Sequence, residues 1–420
     1  MSFGDDQSLG TPSTILAPDA TGIAAPGPGG DPPPIRPRVL TKWRVLSSVV
    51  VLIAALVIAA SLITVPYYAL TPGTAQNVEP LIDVPASVGH SHSGAVDLVD
   101  VEVTPLRLID WLWFKLNSQA TIISSQAIQG PETTAQYNTE GVLDMASAQQ
   151  AATIVALRQL GYAVSFKPNG ALVYELDPGS PADSSLLVGD VVVGVGTVTV
   201  SGPEPFSAAL SHYHPGDLVT MTVRPYPSQS VKKVPIRLGS WRLQGTGANA
   251  QIHCLPSGQK TSWPVLNDVG GNLVLPKKGQ TPHPVGCLGI LFSEASYAIS
   301  KLPFKVNLNN EGIVGPSAGL AFTLGLMQRL DPANLTGGLQ VAATGTMSIS
   351  GQVGAIGGIE QKTFAVRSAG ASIFLVPPDN YAEAKKYAGP SLKVYAVSTI
   401  AQAIKVLESH GGKIARPAGP

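Results

Sequence analysis

Ser317 stands in the run EGIVGPSAG (311–319), ahead of the almost wholly apolar LAFTLGLM. Pro316 suits the first position of a helix, where its missing N–H leaves no hydrogen bond unmade, so Ser317 is expected in the first turn. The backbone donors of a first turn lack helical partners and lie at the positive end of the dipole. The chemistry this supports is attack by a hydroxyl, with the resulting oxyanion held by N–H groups, and the flanking glycines would let a substrate backbone come close. Taken alone, a serine in that place is more often an ordinary cap. What decides between the two is a base.

Lys362 is the candidate base. It lies in GGIEQKTFAVRSAG (357–370), which reads as a helix opened by glycines and stopped at Gly370. At about 100° per residue, Ile359, Lys362, Thr363, Val366 and Ala369 share one face, and Glu360, Gln361, Arg367 and Ser368 the other. A lysine on an apolar face either snorkels to the rim or loses its proton. Desolvation lowers its pKa from a reference of about 10.4 toward neutrality, which makes the amine a usable general base.

The elements that must position these two groups sit in a chain of 420 residues, enough for more than one domain. Charged residues make up 13%, against roughly 25% in ordinary soluble domains, and an uncharged run near the N-terminus accounts for part of the shortfall. Lys and Arg number 27, as do Asp and Glu, and no basic cluster is interleaved with aromatics, which excludes the electrostatic footprint of a nucleic-acid binder. The Gly- and Pro-rich stretch within residues 11–37 has too little apolar surface to offset the entropy of ordering, so 1–44 is expected to be a disordered cytoplasmic leader.

Residues 45–65, VLSSVVVLIAALVIAASLITV, contain no charge and are long enough as a helix to cross a hydrocarbon core of about 30 Å. Arg36, Arg38, Lys42 and Arg44 precede the run and no Lys or Arg follows until Arg107, which puts the N-terminus in the cytoplasm and everything after Pro66 outside. Tyr67 and Tyr68 suit a membrane boundary. A cleaved signal peptide would have a shorter apolar region nearer the start. The expectation is a single-pass protein of the cell membrane, with the lipid bilayer as a partner through 45–65.

Both cysteines, Cys254 and Cys287, fall on the outer side, where a disulfide persists. His253 and His283 lie nearby, but the spacing lacks the C-x-x-C pairing of structural zinc, so the expectation is a disulfide and no metal. His90 and His92 in GHSHS read as a solvated loop. Residues 66–142 read as an extracytoplasmic linking α/β segment without catalytic pattern, and 241–287 as a connecting region around the Cys pair. Asp144 is expected to cap a helix through Leu160, stopped at Gly161, that leads into a domain spanning 143–240.

Within that domain the order strand, turn, short helix, Gly-Asp turn and Val-rich strand runs through ALVYELDPGSPADSSLLVGDVVVGVGTVTV (171–200), with PGSPA and LVGDV at its turns. It resembles a PDZ domain over roughly 160–240. The resemblance implies a groove beside an open strand edge where an extended peptide adds a strand.

Three ordered motifs in 288–410, namely GPSAG, ATGTMSISGQVGAIGGIEQK and SAGASIFLVP, resemble the proteolytic domain of Lon-type proteases. That resemblance implies a Ser-Lys dyad, with Ser317 as acyl-forming nucleophile, Lys362 as its base and Thr344 as the hydroxyl that orients the lysine. Many Lon-type proteases carry an acidic residue directly before Gly-Pro-Ser, and here Val314 takes its place. No G-x-x-x-x-G-K-[ST] phosphate loop occurs in the sequence, so neither nucleotide nor any other cofactor is implied. Anchor, PDZ-like module and Lon-type domain in that order, with the YYALTPGTA run (67–75), resemble the PDZ-containing Lon-domain proteins of Gram-positive bacteria.

The expected fold class is α+β multidomain: one N-terminal transmembrane helix, a β-rich PDZ-like domain and a C-terminal α/β proteolytic domain. The expected function is ATP-independent serine endopeptidase action on membrane or secreted polypeptides, with a homo-oligomer possible by analogy. The alternative is an inactive PDZ scaffold at the cell surface.

Overall fold

A computed structural model describes residues 42–415, apart from 117–119, 131–132, 227, 229, 248–249, 270–271, 278–279 and 295–297. The disordered leader expected at 1–44 lies outside the described residues except for its last three. The chain divides into two compact units, 1–56 and 57–420. What is described of the first is helical and forms the front of α1 (Lys42–Leu62).

Among the described residues, Trp43–Leu62 is long and apolar enough to cross a membrane, with a mean hydropathy of 2.8. The helix stops three residues short of the expected 65. Ile63, Thr64 and Val65 are β-branched, and Pro66 disfavours the helical region at the residue before it. The chain therefore passes straight into a strand.

The larger sheet of the second unit has six strands. In chain order they are β1 (Thr64–Asn77), β2 (Ala95–Arg107), which runs into the short helix α2 (Leu108–Phe114), and β3 (Thr121–Ser124). The remaining three come from far along the chain. Between lie the long helix α3 (Thr134–Gln159) and a second, smaller sheet built from β4 (Ala171–Leu176), β5 (Val191–Val195), β6 (Leu218–Arg224) and β7 (Lys232–Arg237), with helix α4 (Pro203–Leu210) between β5 and β6. A three-stranded patch follows, of β8 (Gly239–Gln244), β9 (Gln251–Leu255) and β10 (Gly286–Cys287), and then β11 (Ile290–Glu294). Helix α5 (Gly319–Leu330), β12 (Gln340–Ala343), α6 (Ile359–Ser368), β13 (Ile373–Val376), α7 (Pro378–Tyr387), β14 (Lys393–Ala396) and α8 (Ile400–Ser409) complete the chain.

The order in the larger sheet is β14-β13-β12-β2-β1-β3, parallel from β14 through β2 and antiparallel thereafter. Its strands are apolar on both faces because helices cover both. Val341, Ala343, Ile373 and Leu375 face one core, with Val96 and Leu98 of β2 and helices α3, α5 and α8. Their alternates Ala342, Phe374 and Val376 face the other, with Val99 and helices α6 and α7. Residues 66–142 are thus not a linker. They supply most of β1 and all of β2 and β3, with β2 beside β12, and the linker reading failed because a strand partner 245 residues away, as Val96 is from Val341, leaves no local signature.

Helix α3 also departs from expectation. It begins at Thr134, where Thr133 and Gln136 form a reciprocal capping box, and not at Asp144, whose carboxylate accepts a hydrogen bond from the Tyr174 hydroxyl at 3.1 Å. Gly161, at φ +81°, ends it as expected. Met145, Ala151, Ala152, Val155 and Ala156 pack into the core shared with α5, so this helix belongs to the larger sheet's layer and not to the 143–240 domain.

The smaller sheet runs β7-β6-β5-β4-β11, with a two-residue strand at Val198–Thr199 paired to β5, and the Phe206 ring of α4 lies 4.1 Å from the Phe292 ring of β11 at a tilt of 46°. Leu288, Ile290 and Phe292 pack with this module's core, so 288–294, expected to open the proteolytic domain, closes the smaller module instead. The residues after the 177–180 turn form further turns and no helix. Asp190 accepts from the N–H groups of Leu187 (3.2 Å) and Tyr226 (3.1 Å), which explains its place in the LVGD turn. Cys254 and Cys287 are bonded, with Sγ atoms 1.98 Å apart. They join β9 and β10, which flank β8.

Candidate active site

Ser317 lies in a 3₁₀ turn, Pro316–Ala318, that leads into α5. Three backbone bonds fix this turn. Gly315 N–H donates to the Gly141 carbonyl of α3 at 2.7 Å, Gly345 N–H to the Ser317 carbonyl at 2.9 Å, and Leu320 N–H to the Gly345 carbonyl at 3.1 Å. The turn is therefore clamped between α3 and the chain leaving β12. That clamp needs Gly319, because a Cβ there would sit 2.8 Å from both the backbone nitrogen and the Cβ of Met347.

Helix α6 starts after Gly358, whose φ of +67° is left-handed and whose face lies against Val101 of β2. The start is abrupt enough to bring Lys362, in the first turn, over the same strand end. Lys362 is 2% exposed, and its Nζ lies 2.6 Å from Ser317 Oγ and 3.2 Å from Thr344 Oγ1. Thr344 is fully buried, its N–H donates to the Leu375 carbonyl of β13 at 3.0 Å, and its hydroxyl donates to the Ser317 carbonyl at 3.2 Å. With its own hydrogen used in this way, Thr344 Oγ1 meets the amine as an acceptor. That orients one Lys362 N–H away from Ser317 and leaves the amine's lone pair free to face the serine hydroxyl.

Burial lowers the Lys362 pKa from 10.5 to about 8, against a smaller upward pull from the Asp100 carboxylate. Asp100 itself is engaged by the N–H and hydroxyl of Thr74 on β1. Desolvation thus dominates, and the amine is neutral in an appreciable fraction near neutral pH.

The three residues singled out from sequence, Ser317, Lys362 and Thr344, come together at one point. Asp100 was missed because AVDLVDVEV (95–103) holds three carboxylates, Asp97, Asp100 and Glu102, and nothing local distinguishes the one near Lys362. Gln361, expected on the exposed face of α6, is 2% exposed because its amide donates to Thr121 Oγ1 of β3 at 2.8 Å. The GHSHS run is an irregular loop with His90, Ser91 and Ser93 exposed, as expected, but it is tethered. His90 N–H donates to the Arg329 carbonyl at 2.7 Å, and His92 Nε2 lies 2.8 Å from the Asp331 carbonyl, tying the run to the end of α5.

Ser317 and Lys362 line a cleft of about 1140 Å³. Its walls include Val101 and Val103 of β2, Tyr137 and Gly141 of α3, Val314, and Tyr174 of β4, so the smaller module contributes to the cleft. The cleft is large enough for several residues of extended polypeptide. Among the described residues, no group of three or more His, Cys, Asp or Glu side chains is placed to hold a metal ion. His253 Nδ1 lies 3.2 Å from an Asp177 carboxylate oxygen, and its ring lies beside Trp263.

A buried amine beside a hydroxyl at the foot of a peptide-sized cleft is suited to general-base activation of that hydroxyl. Residues 310–409 match the description "Lon protease (S16) C-terminal proteolytic domain". A mitochondrial Lon protease homolog of Neurospora crassa is 36% identical over 74 residues, and one of Emericella nidulans 38% over 74 residues. Each alignment covers 16% of this chain and 6% of the relative, so the chain spans a small part of the length of the curated relatives it matches. The chain therefore contains a Lon protease (S16) C-terminal proteolytic domain, of which residues 310–409 are the matched part.

Proposed function

We propose that the chain is a membrane-anchored serine endopeptidase that works without ATP on extracytoplasmic polypeptides through a Ser317–Lys362 dyad. The observation that carries this reading is the 2.6 Å approach of Lys362 Nζ to Ser317 Oγ in a buried setting that lowers the lysine pKa to about 8. The neutral amine takes the Oγ proton as Oγ bonds to the scissile carbonyl carbon. The ammonium then gives that proton to the leaving amine as the C–N bond breaks. A water, deprotonated by the same amine, cleaves the acyl ester and restores Ser317. Thr344 holds the lysine in orientation throughout.

The smaller module is read as a peptide-recognition unit of PDZ type. Its end strand β11 offers an edge for strand addition, and the adjacent β4 lines the catalytic cleft through Tyr174 and Glu175. A peptide bound at the module's edge would thereby lie near the dyad. The lack of a phosphate-binding loop supports independence from ATP. Placement outside the cytoplasm rests on the basic residues before the apolar run 45–65 and on the bonded Cys254–Cys287 pair.

The test is hydrolysis of an unfolded fluorogenic protein by the full chain in detergent, with no nucleotide, beside Ser317→Ala. Turnover by the wild type that falls by at least two orders of magnitude in the variant is expected. Equal background in both would leave a non-catalytic scaffold as the reading.

A further inference from the structure

Helix α2, LIDWLWF, carries six apolar residues among its seven, and none of them is buried. Leu112 is 53% exposed and Trp113 70%, and Leu116 just beyond is 86% exposed. A soluble protein hides such a segment against a core, or exposes it for a reason. Its location supplies the reason. The first N–H of α2, on Leu108, donates at 2.9 Å to the carbonyl of Ile63, the residue immediately after α1. Tyr67, on the strand that leaves α1, meets Trp111 of α2 with ring centroids 6.3 Å apart. The exposed aromatic helix is therefore fastened to the point where the apolar span ends.

The composition fits one kind of surface. Tryptophan and tyrosine favour the boundary between acyl chains and headgroups, where an apolar ring and a polar N–H or O–H are both satisfied. Cations stand at both ends, Arg107 before the helix and Lys115 after it, and the Lys115 ammonium lies 3.9 Å from the centroid of the Trp111 ring. This is the arrangement of a short interfacial helix, with rings in the lipid and cations at the level of anionic headgroups.

We infer that α2 is a second membrane contact, lying in the outer headgroup layer and seating the catalytic domain on the bilayer. This rests on the reading of α1 as a membrane span. It has a consequence for the substrate. Val103 and Pro105 of β2 line the catalytic cleft, and Pro105 is three residues from Leu108, about 10 Å at 3.3 Å per residue. The cleft thus opens close to the lipid surface, and the favoured substrates are the membrane-proximal segments of other membrane proteins.

The experiment uses the full chain reconstituted into vesicles of phosphatidylcholine with phosphatidylglycerol. Flotation of the vesicles reports anchoring by α1. Tryptophan fluorescence is then compared between the wild type and Trp113→Phe, a change that keeps an apolar ring at the site and lets the signals of Trp43, Trp111, Trp241 and Trp263 cancel in the difference. Lipid brominated on its acyl chains is expected to quench the Trp113 signal several-fold more than aqueous acrylamide does. If the protein floats but acrylamide quenches Trp113 and brominated lipid does not, the inference is overturned while the anchor stands. If the protein does not float, the anchor reading fails and the inference falls with it. If Trp113 is shielded from both quenchers, and the shielding in detergent grows with protein concentration, the occupant is a second copy and the inference is wrong.

Discussion

Lys362 Nζ and Ser317 Oγ are 2.6 Å apart although 45 residues separate them in sequence, and neither group owes its place to the other. Both are set by the same short piece of chain leaving β12. Thr344 contacts the lysine amine and the serine carbonyl, and Gly345 bonds the serine carbonyl and the Leu320 amide. A change at this strand end therefore reaches both Lys362 and Ser317.

If Lys362 is the base of the proposed reaction, activity is expected to rise with pH through about 8. The base must be neutral, and the Lys362 pKa is lowered to about 8 by burial, so the reactive fraction grows tenfold per pH unit below that value and levels off above it. A kcat/KM profile of the full chain between pH 6 and 10 checks this. Lys362→Arg stays protonated across the range and loses roughly two to four orders of magnitude. A profile flat from pH 6 to 9, or full activity in the arginine variant, removes Lys362 from the chemistry.

The same burial makes Lys362 a stability liability. Its folded pKa is below the unfolded 10.5, so between about 8 and 10.5 the unfolded chain binds more protons and stability rises with pH. Below about 8 both states are protonated and the penalty is present in full, on the order of 3 kcal/mol for a gap of this size. Lys362→Met keeps the aliphatic stem and deletes the charge. It is expected to raise the unfolding midpoint at pH 6 to 7, with the gain shrinking toward pH 10, while abolishing turnover. A variant less stable than wild type at pH 6 would show that the ammonium is well compensated in place.

In the proposed reaction Thr344 acts through the lysine, which its hydroxyl contacts at 3.2 Å. Thr344→Val removes the hydroxyl and leaves a Lys362 N–H and the Ser317 carbonyl each without that partner, a loss of about 1 to 3 kcal/mol. The expected outcome is a kcat reduced by roughly tenfold to a hundredfold with KM little changed, recovered largely in Thr344→Ser. Equal kcat in Thr344→Val and wild type would reduce Thr344 to a strand-end residue.

How legible this was in the sequence depends on range. The serine, lysine and threonine each sit within a few residues of glycine or proline signals that set a helix start or strand end, so local rules located them. The strands beneath them were illegible for the opposite reason. β2 pairs with β12 in the register Val96 to Val341, and nothing around either residue names the other. The intervening module hid the continuity further, since a domain interrupted by an insertion reads as two. At α3 a local rule misled: Asp144 stood closer to the apolar repeat than Thr133 did, but the Thr-x-x-Gln box at 133–136 satisfied two backbone donors and won. Gln361 was misassigned because helical periodicity does not show that β3, through Thr121, covers this one residue of a face whose Arg367 and Ser368 stay exposed.

Gly319 gives the sharpest test of the clamp, because two physical effects oppose each other there. It opens α5, where alanine is favoured over glycine by about 1 kcal/mol in a helix interior and by less at an end. If propensity ruled, Gly319→Ala would stabilise the protein and leave turnover alone. But the added Cβ would lie 2.8 Å from the Met347 backbone nitrogen and 2.8 Å from its Cβ. Met347 is buried, and its strand is paired with Val353, so it has little room to yield. The α5 start must then move away from the chain leaving β12, stretching the Gly345 N–H bond to the Ser317 carbonyl and the approach of Ser317 to Lys362. A displacement of about 1 Å at a reacting group costs on the order of a hundredfold in rate, so Gly319→Ala is expected to lose activity by that order and to unfold at a lower temperature. Full turnover with a raised midpoint would mean that the close approach is dispensable and that the dyad's geometry is held from α6 alone.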